Sequence, residues 1–312
     1  MILVRLDVNN KIGTGHFRRS SNLINTFNKN NIIYLIETDD KENDIFSHHN
    51  VIFTSCLTEY SDLVDLIYKY KIQVVILDFL KYKRKYIQKI KKISNLPLIT
   101  FHEYEDFSLS SDLAFNYNIF FNKKCHLNPK FFFGYKYIIF DDKISQYKKL
   151  KNKDYIFVSF GGSDPTCFTK SFIKNVTLKM PDQFFYIHLG SFSKNNISNE
   201  KITNVKFINY TNIFFKYMSE AKKVIVAGGN MMYEAIYLEK KPLVVAHNNH
   251  QEKFAKIAQN RKLIKYVGKI ENMDFLSFIR DIQANDELIV NSSDQIDNKG
   301  KERIIKEIEK LL

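Results

Sequence analysis

A histidine behind two closely spaced glycines, flanked by aspartate and arginine, is a combination able to move a proton beside an anion. In VRLDVNNKIGTGHFRRSSNLINTF the glycines are Gly13 and Gly15, followed by His16 and Arg19. Glycine permits a sharp turn and lets a ligand approach the backbone closely. The unpaired N–H groups at a helix start favour anionic or electron-rich oxygen. The same positive end disfavours imidazolium, so His16 is expected to be neutral near pH 7 and to accept a proton, as a general base for water or a sugar hydroxyl. Asp7, at the end of the preceding apolar run, is placed to orient His16 through its other ring nitrogen. Asp78, at the end of VVILD, is a second candidate catalytic carboxylate. Each of the two aspartates also reads as a group that caps or pairs at a strand end.

Two further glycine-marked turns lie in the second half. GGSDP presents Gly161, Gly162 and Ser163, and GGNMMYEAIYL presents Gly228, Gly229 and Asn230. Small residues and backbone donors at two helix starts suit a diphosphate. Neither turn carries G-K-[ST], which argues against an ATP-cleaving P-loop. Glu234 lies about a turn and a half into its helix, where a carboxylate can accept hydrogen bonds from ribose hydroxyls; the alternative is a surface carboxylate. HNNHQEKFAKIAQ supplies His250 and Gln251, which can read sugar hydroxyls or serve as capping and solvent-facing groups. A dinucleotide fingerprint also fits the first loop in part, because Glu37 and Asp39 end the second apolar run. It fails at the third glycine, where Arg18 stands, so no NAD, FAD or other cofactor is expected.

The elements that must position these residues repeat in both halves. Apolar runs at 2–8, 32–36, 74–78, 97–101 and 112–116, and again at 155–160, 183–189, 205–208, 223–227 and 242–246, alternate with segments of helical period. That alternation predicts an α/β protein of two Rossmann-like lobes. A polar, charged linker over 141–154 divides it into residues 1–145, carrying the catalytic loop, and 146–312, carrying the nucleotide sugar. Ligand is then expected at the carboxyl ends of both sheets, in a cleft.

A chain of 312 residues is long enough for two such cores. Its formal charge of +13 is spread along helical segments such as 81–92 and 299–310, the latter interleaved with Glu. Solvated helix faces of this kind do not suggest a nucleic-acid site, though they leave room for weak peripheral contact with an anionic membrane. No stretch is long and apolar enough to span a bilayer, and the N-terminal run reaches a charge too early for a signal peptide, so the expected location is the cytoplasm. The three cysteines, Cys56, Cys125 and Cys167, form no C-x-x-C pair and read as reduced spectators.

Taken together, these segments resemble the nucleotide-sugar hydrolases of pseudaminic acid biosynthesis and the related spore-coat polysaccharide proteins. Arg5, Asp7, Ile12, Gly13, Gly15, His16 and Arg19 match that family's R-x-D-x(4)-I-G-x-G-H-x-x-R opening. DLAFNYN, FGYKY, FVSFGGSDP, VIVAGGNMMYEAIYL and NHQEKFA follow in the family's order. The second-half pattern is also similar to the enzyme that adds N-acetylglucosamine in lipid II synthesis. The resemblance implies a GT-B fold and release of UDP from a diacetamido-trideoxy-hexose, with His16 acting on water and no metal. It implies that Glu234 holds the ribose, that backbone near Ile208 meets uracil, and that Ser163, Gly228 and Gly229 border the diphosphate. Asn116, within DLAFNYN, joins Gly13, Gly15 and Arg19 as a substrate-binding position. Two loops depart from the family: LDFLKYKRKY keeps Asp78 but displaces a tyrosine, and FHEYED has His102 where the family has aspartate. His102 and Glu103 are therefore candidates for a sugar-facing loop. A GT-B glycosyltransferase using a UDP-sugar donor and a non-catalytic sugar-nucleotide binder are the alternative functions, and a monomer is the expected state.

Overall fold

The computed structural model describes residues 1–9, 11–24, 27, 31–80, 84–102, 111–118, 130–192, 202–209, 213–284 and 296–311. The chain divides into two compact units, one of Met1–Asp141 with Asp297–Leu312 and one of Asp142–Ile296.

In the first unit, β1 (Ile2–Val8), α1 (Gly15–Ile24), β2 (Ile32–Thr38), β3 (Val51–Thr54), α2 (Glu59–Lys69), β4 (Val74–Asp78), α3 (Arg84–Ser94), β5 (Leu98–Phe101), β6 (Leu113–Asn116) and β7 (Phe131–Phe133) follow one another. The strands form one sheet in the order β3-β2-β1-β4-β5-β6-β7, with every pairing parallel. Parallel strands are covered on both faces, which is why β4 reads VVIL and β1 opens ILV, with Arg5 and Asp7 the charged interruptions in β1. On one face Leu3, Leu35, Val75 and Leu77 pack with Leu63 of α2 and with Ile87 and Ile90 of α3.

The second unit repeats the plan with β8 (Lys153–Ser159), α4 (Phe168–Asn175), β9 (Phe185–His188), β10 (Val205–Ile208), α5 (Phe214–Glu220), β11 (Ala221–Ala227), α6 (Asn230–Tyr237), β12 (Leu243–Ala246), α7 (Asn249–Asn260), β13 (Lys265–Lys269) and α8 (Phe275–Gln283). Its sheet runs β10-β9-β8-β11-β12-β13, again all parallel. Ile156, Val158, Phe172, Phe185, Ile225 and Val245 form its core with Phe278 of α8.

Both sheets therefore have the doubly wound order in which the first strand lies beside the fourth. The connections leave these neighbours in opposite directions, and a crevice opens at their carboxyl ends. That switch point falls between β1 and β4 in one unit and between β8 and β11 in the other.

The last helix, α9 (Gly300–Glu309), corrects the expected boundary. Residues 297–312 belong to the first unit, not to a second lobe running to the C-terminus. Gly300 makes this possible: a Cβ there would lie 2.0 Å from the carbonyl oxygen of Ile138, so only glycine lets α9 start against that backbone. Arg303 then donates to the carbonyl of Lys136 at 2.8 Å and pairs with Asp297 at 2.6 Å.

Candidate active site and nucleotide loops

His16, Arg19 and Ser20 stand at i, i+3 and i+4 on α1 and so share one face. All three turn to a single carboxylate, Asp78, at the carboxyl end of β4. The His16 Nδ1 is 2.6 Å from Asp78 Oδ1, Arg19 Nε donates to Asp78 Oδ2 at 2.9 Å, and Ser20 Oγ donates to the same oxygen at 3.0 Å. A second Arg19 nitrogen donates to Asp78 Oδ1. The four side chains are buried, Asp78 completely. Burial alone would raise the Asp78 pKa, but the Arg19 and His16 charges and the hydrogen bonds from both override it and hold the carboxyl well below the usual range.

An ionised carboxylate only accepts, so the proton between it and His16 sits on Nδ1, and Nε2 is the basic nitrogen. Arg19 Nη2 also lies 3.0 Å from His16 Nδ1. With Nδ1 protonated, that approach is two donors converging on one oxygen, not a bond between them. Arg19 is held in turn by Tyr117, whose hydroxyl accepts from it and whose ring lies 4.9 Å from the guanidinium carbon.

The partner expected for His16 was Asp7, and here the structure corrects the sequence. Asp7 Oδ1 instead accepts from the buried Arg5 at 2.5 Å, and Arg5 also reaches Glu59 and Glu37. Side chains alternate along a strand. Arg5 and Asp7 therefore share one face of β1, and Asp7 is committed to charge balance there.

Gly13 and Gly15 behave as their spacing suggests. Gly13 has φ 80°, in the region that favours glycine, and donates to Asn9 O at 2.7 Å, while Asn9 Oδ1 accepts from Lys11 and Ile12 N–H. The turn closes and Gly15 begins α1. Asn116 has a local duty, its side chain accepting from Asn118 N and its carbonyl from Gly134 N, both at 3.0 Å. His102 is not on an open loop: it is buried, with Nε2 2.8 Å from Thr100 Oγ1. Glu103 and Lys81–Lys83 lie outside the described residues.

In the second unit, Gly161 follows β8 with φ 97°, and Ser163 is buried behind it. Gly190 lies so close that a Cβ on it would be 2.3 Å from the Gly162 carbonyl oxygen. Gly162 O also accepts from Phe192 N at 2.9 Å. Asp164 is absorbed by α4, accepting from Phe168 N and Thr169 N at 2.9 Å each.

The second glycine turn needs a correction. Gly228 N donates to Val245 O at 2.9 Å and Gly229 N to Ala227 O at 2.8 Å, so neither N–H is left for a phosphate. What these glycines supply is closeness, since a Cβ on Gly228 would lie 3.2 Å from Cβ of Gln251. Asn230 and Glu234 follow on α6, both half-buried.

Gln251 is structural as well. Its side chain accepts from His247 N at 2.9 Å and its N–H donates to the capping Asn248 at 3.0 Å. His250 stacks edge-on against Phe254, with centroids 4.3 Å apart. Ile208 ends β10 with its carbonyl accepting from Leu189 N at 3.1 Å.

Sequence reasoning missed Tyr117 and His247. The latter bridges Phe160 O at 2.8 Å and Thr166 Oγ1 at 3.4 Å, tying the loop after β12 to the loop after β8. Burial lowers its pKa, against the opposing pull of the Phe160 carbonyl and Asp164. Ser20 was assigned only to a helix face, although its spacing of four from His16 was the available signal.

No protein-family model matches the chain. It is 26% identical over 260 residues to the spore coat polysaccharide biosynthesis protein SpsG of Bacillus subtilis, covering 78% of this chain and 76% of that one. An uncharacterized protein of Methanocaldococcus jannaschii is 25% identical over 279 residues, 81% of this chain, and the chain spans only 56% of that relative's length. Among solved structures, the glycotransferase of kitacinnamycin superposes with a TM-score of 0.67 at 11% identity over 99% of both chains. MurG of Acinetobacter baumannii does so with a TM-score of 0.62 at 11% identity, also over 99% of both. The chain has the GT-B fold. A UDP-GlcNAc 2-epimerase of Neisseria meningitidis, solved with UDP-GlcNAc bound, is similar at the same level: TM-score 0.62, 13% identity, 99% of both chains. GT-B proteins of sugar-nucleotide chemistry thus recur among the neighbours, and the similarity to SpsG agrees with the resemblance carried by the His16 loop. Among the described residues, no helix is long and apolar enough to cross a membrane.

Proposed function

We propose that the chain hydrolyses a UDP-linked sugar of the diacetamido-trideoxy-hexose type, releasing UDP, in nonulosonic acid or surface-polysaccharide biosynthesis. The observation that carries this reading is the Asp78–His16 pair at the switch point of the first sheet, Asp78 ending β4 and His16 standing in the first turn of α1, which follows β1. Asp78 holds the Nδ1 proton, and His16 Nε2 takes a proton from water as its oxygen bonds to the anomeric carbon. The bond from that carbon to the diphosphate oxygen breaks, and UDP leaves with the electron pair. Arg19 neutralises Asp78, so the imidazole is oriented without a full uncompensated negative charge beside it. Glu234 is assigned to the ribose, backbone near Ile208 to the base, and the turn at Gly161–Ser163 with the first turn of α6 to the diphosphate.

The glycosyltransferases among the structural neighbours favour one other reading, in which His16 deprotonates an acceptor hydroxyl instead of water. Incubating the chain with UDP-sugars and no acceptor separates the two. Release of UDP and free sugar, lost on His16→Ala while UDP affinity stays within about threefold, is the outcome expected when removal of one general base costs about 10²–10⁴ in rate. Turnover that His16→Ala leaves unchanged would remove the role, and release only when an acceptor is added would make the chain a transferase.

A further inference from the structure

Lys240 follows α6 and reaches over the amino-terminal ends of β8 and β11. Its Nζ lies 2.6 Å from Asn152 Oδ1, just before β8, and 2.9 Å from Ala221 O, where β11 begins. Both acceptors are neutral. The carboxylates of the same region are held by other lysines, Glu239 by Lys148 at 3.3 Å and Lys149 at 3.7 Å, and Asp281 by Lys265 at 2.9 Å. An ammonium carries three N–H donors, whereas a neutral amine carries two and a lone pair. Two acceptors therefore satisfy the neutral amine in full, and its lone pair points away from both.

The amine stands on the wall of a cavity of about 430 Å³. The other charged groups around it are Lys149 before β8, Lys222 and Lys223 on β11, Glu239 and Lys241 beside it in sequence, Lys265 on β13 and Asp281 on α8. Half-buried there, Lys240 is poorly solvated. Desolvation penalises the charged form and brings its pKa down to about 8. At pH 7.5 about a quarter of such amines are neutral, against about one in a thousand for a lysine of ordinary pKa. A weaker base is also a weaker nucleophile, by about 0.4–0.5 of a logarithmic unit per pKa unit on the thiol scale, so an advantage of about tenfold remains.

We infer that Lys240, with two neutral acceptors and an open cavity before it, is a nucleophilic amine and a site of acylation by small acyl phosphates, independent of the sugar-nucleotide reading of the glycine turns. The Nζ lone pair attacks the carbonyl carbon of the acyl phosphate. The bond from that carbon to the phosphate oxygen breaks, phosphate leaves with the electron pair, and Nζ gives one proton to solvent. The amide that results keeps a single N–H. It can hold Asn152 or the Ala221 carbonyl but not both, so acylation loosens the tie between the exit of α6 and the start of β11.

Treating the full chain with limiting acetyl phosphate at pH 7.5, and following each lysine by peptide mass spectrometry, tests this. Lys240 should be acetylated about tenfold faster than the exposed Lys92 and Lys170. Its rate should level off above its pKa of about 8 while theirs keeps rising. Asn152→Asp is a nearly isosteric change at an exposed position that sets a carboxylate against Nζ and favours the ammonium. It should bring Lys240 down to the rate of Lys92 and Lys170 and leave those two unchanged. Lys240 reacting no faster than the exposed lysines would overturn the inference. So would an Asn152→Asp chain in which Lys240 keeps its advantage, because the reactivity would then not arise from the pair of neutral acceptors.

Discussion

At the residue scale, Asp78 does more than orient an imidazole. It is wholly buried and accepts from His16, Arg19 and Ser20, so an amide in its place presents an N–H where an acceptor is needed and leaves the buried Arg19 charge unbalanced. Asp78→Asn is expected to cost about 3–5 kcal/mol in the stability of the first unit, the scale for breaking a buried ion pair. Ser20→Ala removes one neutral donor and should cost about 1 kcal/mol. The charge also sets a pH dependence. The folded-state pKa of Asp78 is lowered, so its contribution is present in full above the unfolded value and is lost as pH falls below about 4 toward the folded one. Denaturant titrations from pH 7 to 3 should show a fall in stability over that range that is shallower in Asp78→Asn. Equal slopes in the two proteins would mean that Asp78 is not the linked group.

At the element scale, the strands that were legible in the sequence are the interior ones together with β10, an edge strand that keeps the short apolar pattern VKFI. β1, β4, β8 and β11 are covered on both faces over their apolar stretches ILV, VVIL, YIFV and VIVA, and these announce them. The strands that escaped, β3, β7 and β13, are all at sheet edges and only half-buried throughout, as in KYVGK of β13, so neither a continuous run nor a clean alternation marks them. The same divide holds at the site. His16, Arg19 and the glycine turns show as a local pattern, whereas the choice between Asp7 and Asp78 depends on strand order, which pairs β1 with β4 across a long stretch of chain. Gly190 was equally hidden, because its role is to let one turn touch another. Gly190→Ala would drive a methyl into the backbone of Gly161 and Gly162, which cannot rotate away as a side chain can. A destabilisation of about 1–3 kcal/mol is expected from such overpacking. On the proposed reading, UDP affinity measured by calorimetry falls with it while the first unit, followed by hydrogen exchange, is unaffected. Unchanged affinity would take the Gly161–Ser163 turn out of the nucleotide site.

At the scale of the whole molecule, the chain crosses from the first unit to the second and then returns, so the first fold is completed only by its last residues. α9 buries Ile304 and Ile308, starts at Gly300 on the backbone of Ile138, and is anchored through Arg303 to Lys136. The second unit has a core of its own, built from β8 to α8. Ending the chain at Ile296 should therefore act unequally. Two buried isoleucines alone are worth about 3–6 kcal/mol, a large share of the stability of a domain of this size. The expected outcome by scanning calorimetry is that the first unit's transition moves well below its position in the full chain, or disappears, while the second unit melts within a few degrees of its original temperature. Gly300→Ala should give a weaker version of the same asymmetry, since its methyl meets a carbonyl rather than removing the helix. If truncation instead lowered both transitions together, the two units would be one cooperative system, and the return of α9 could not be read as the closing of the first unit alone.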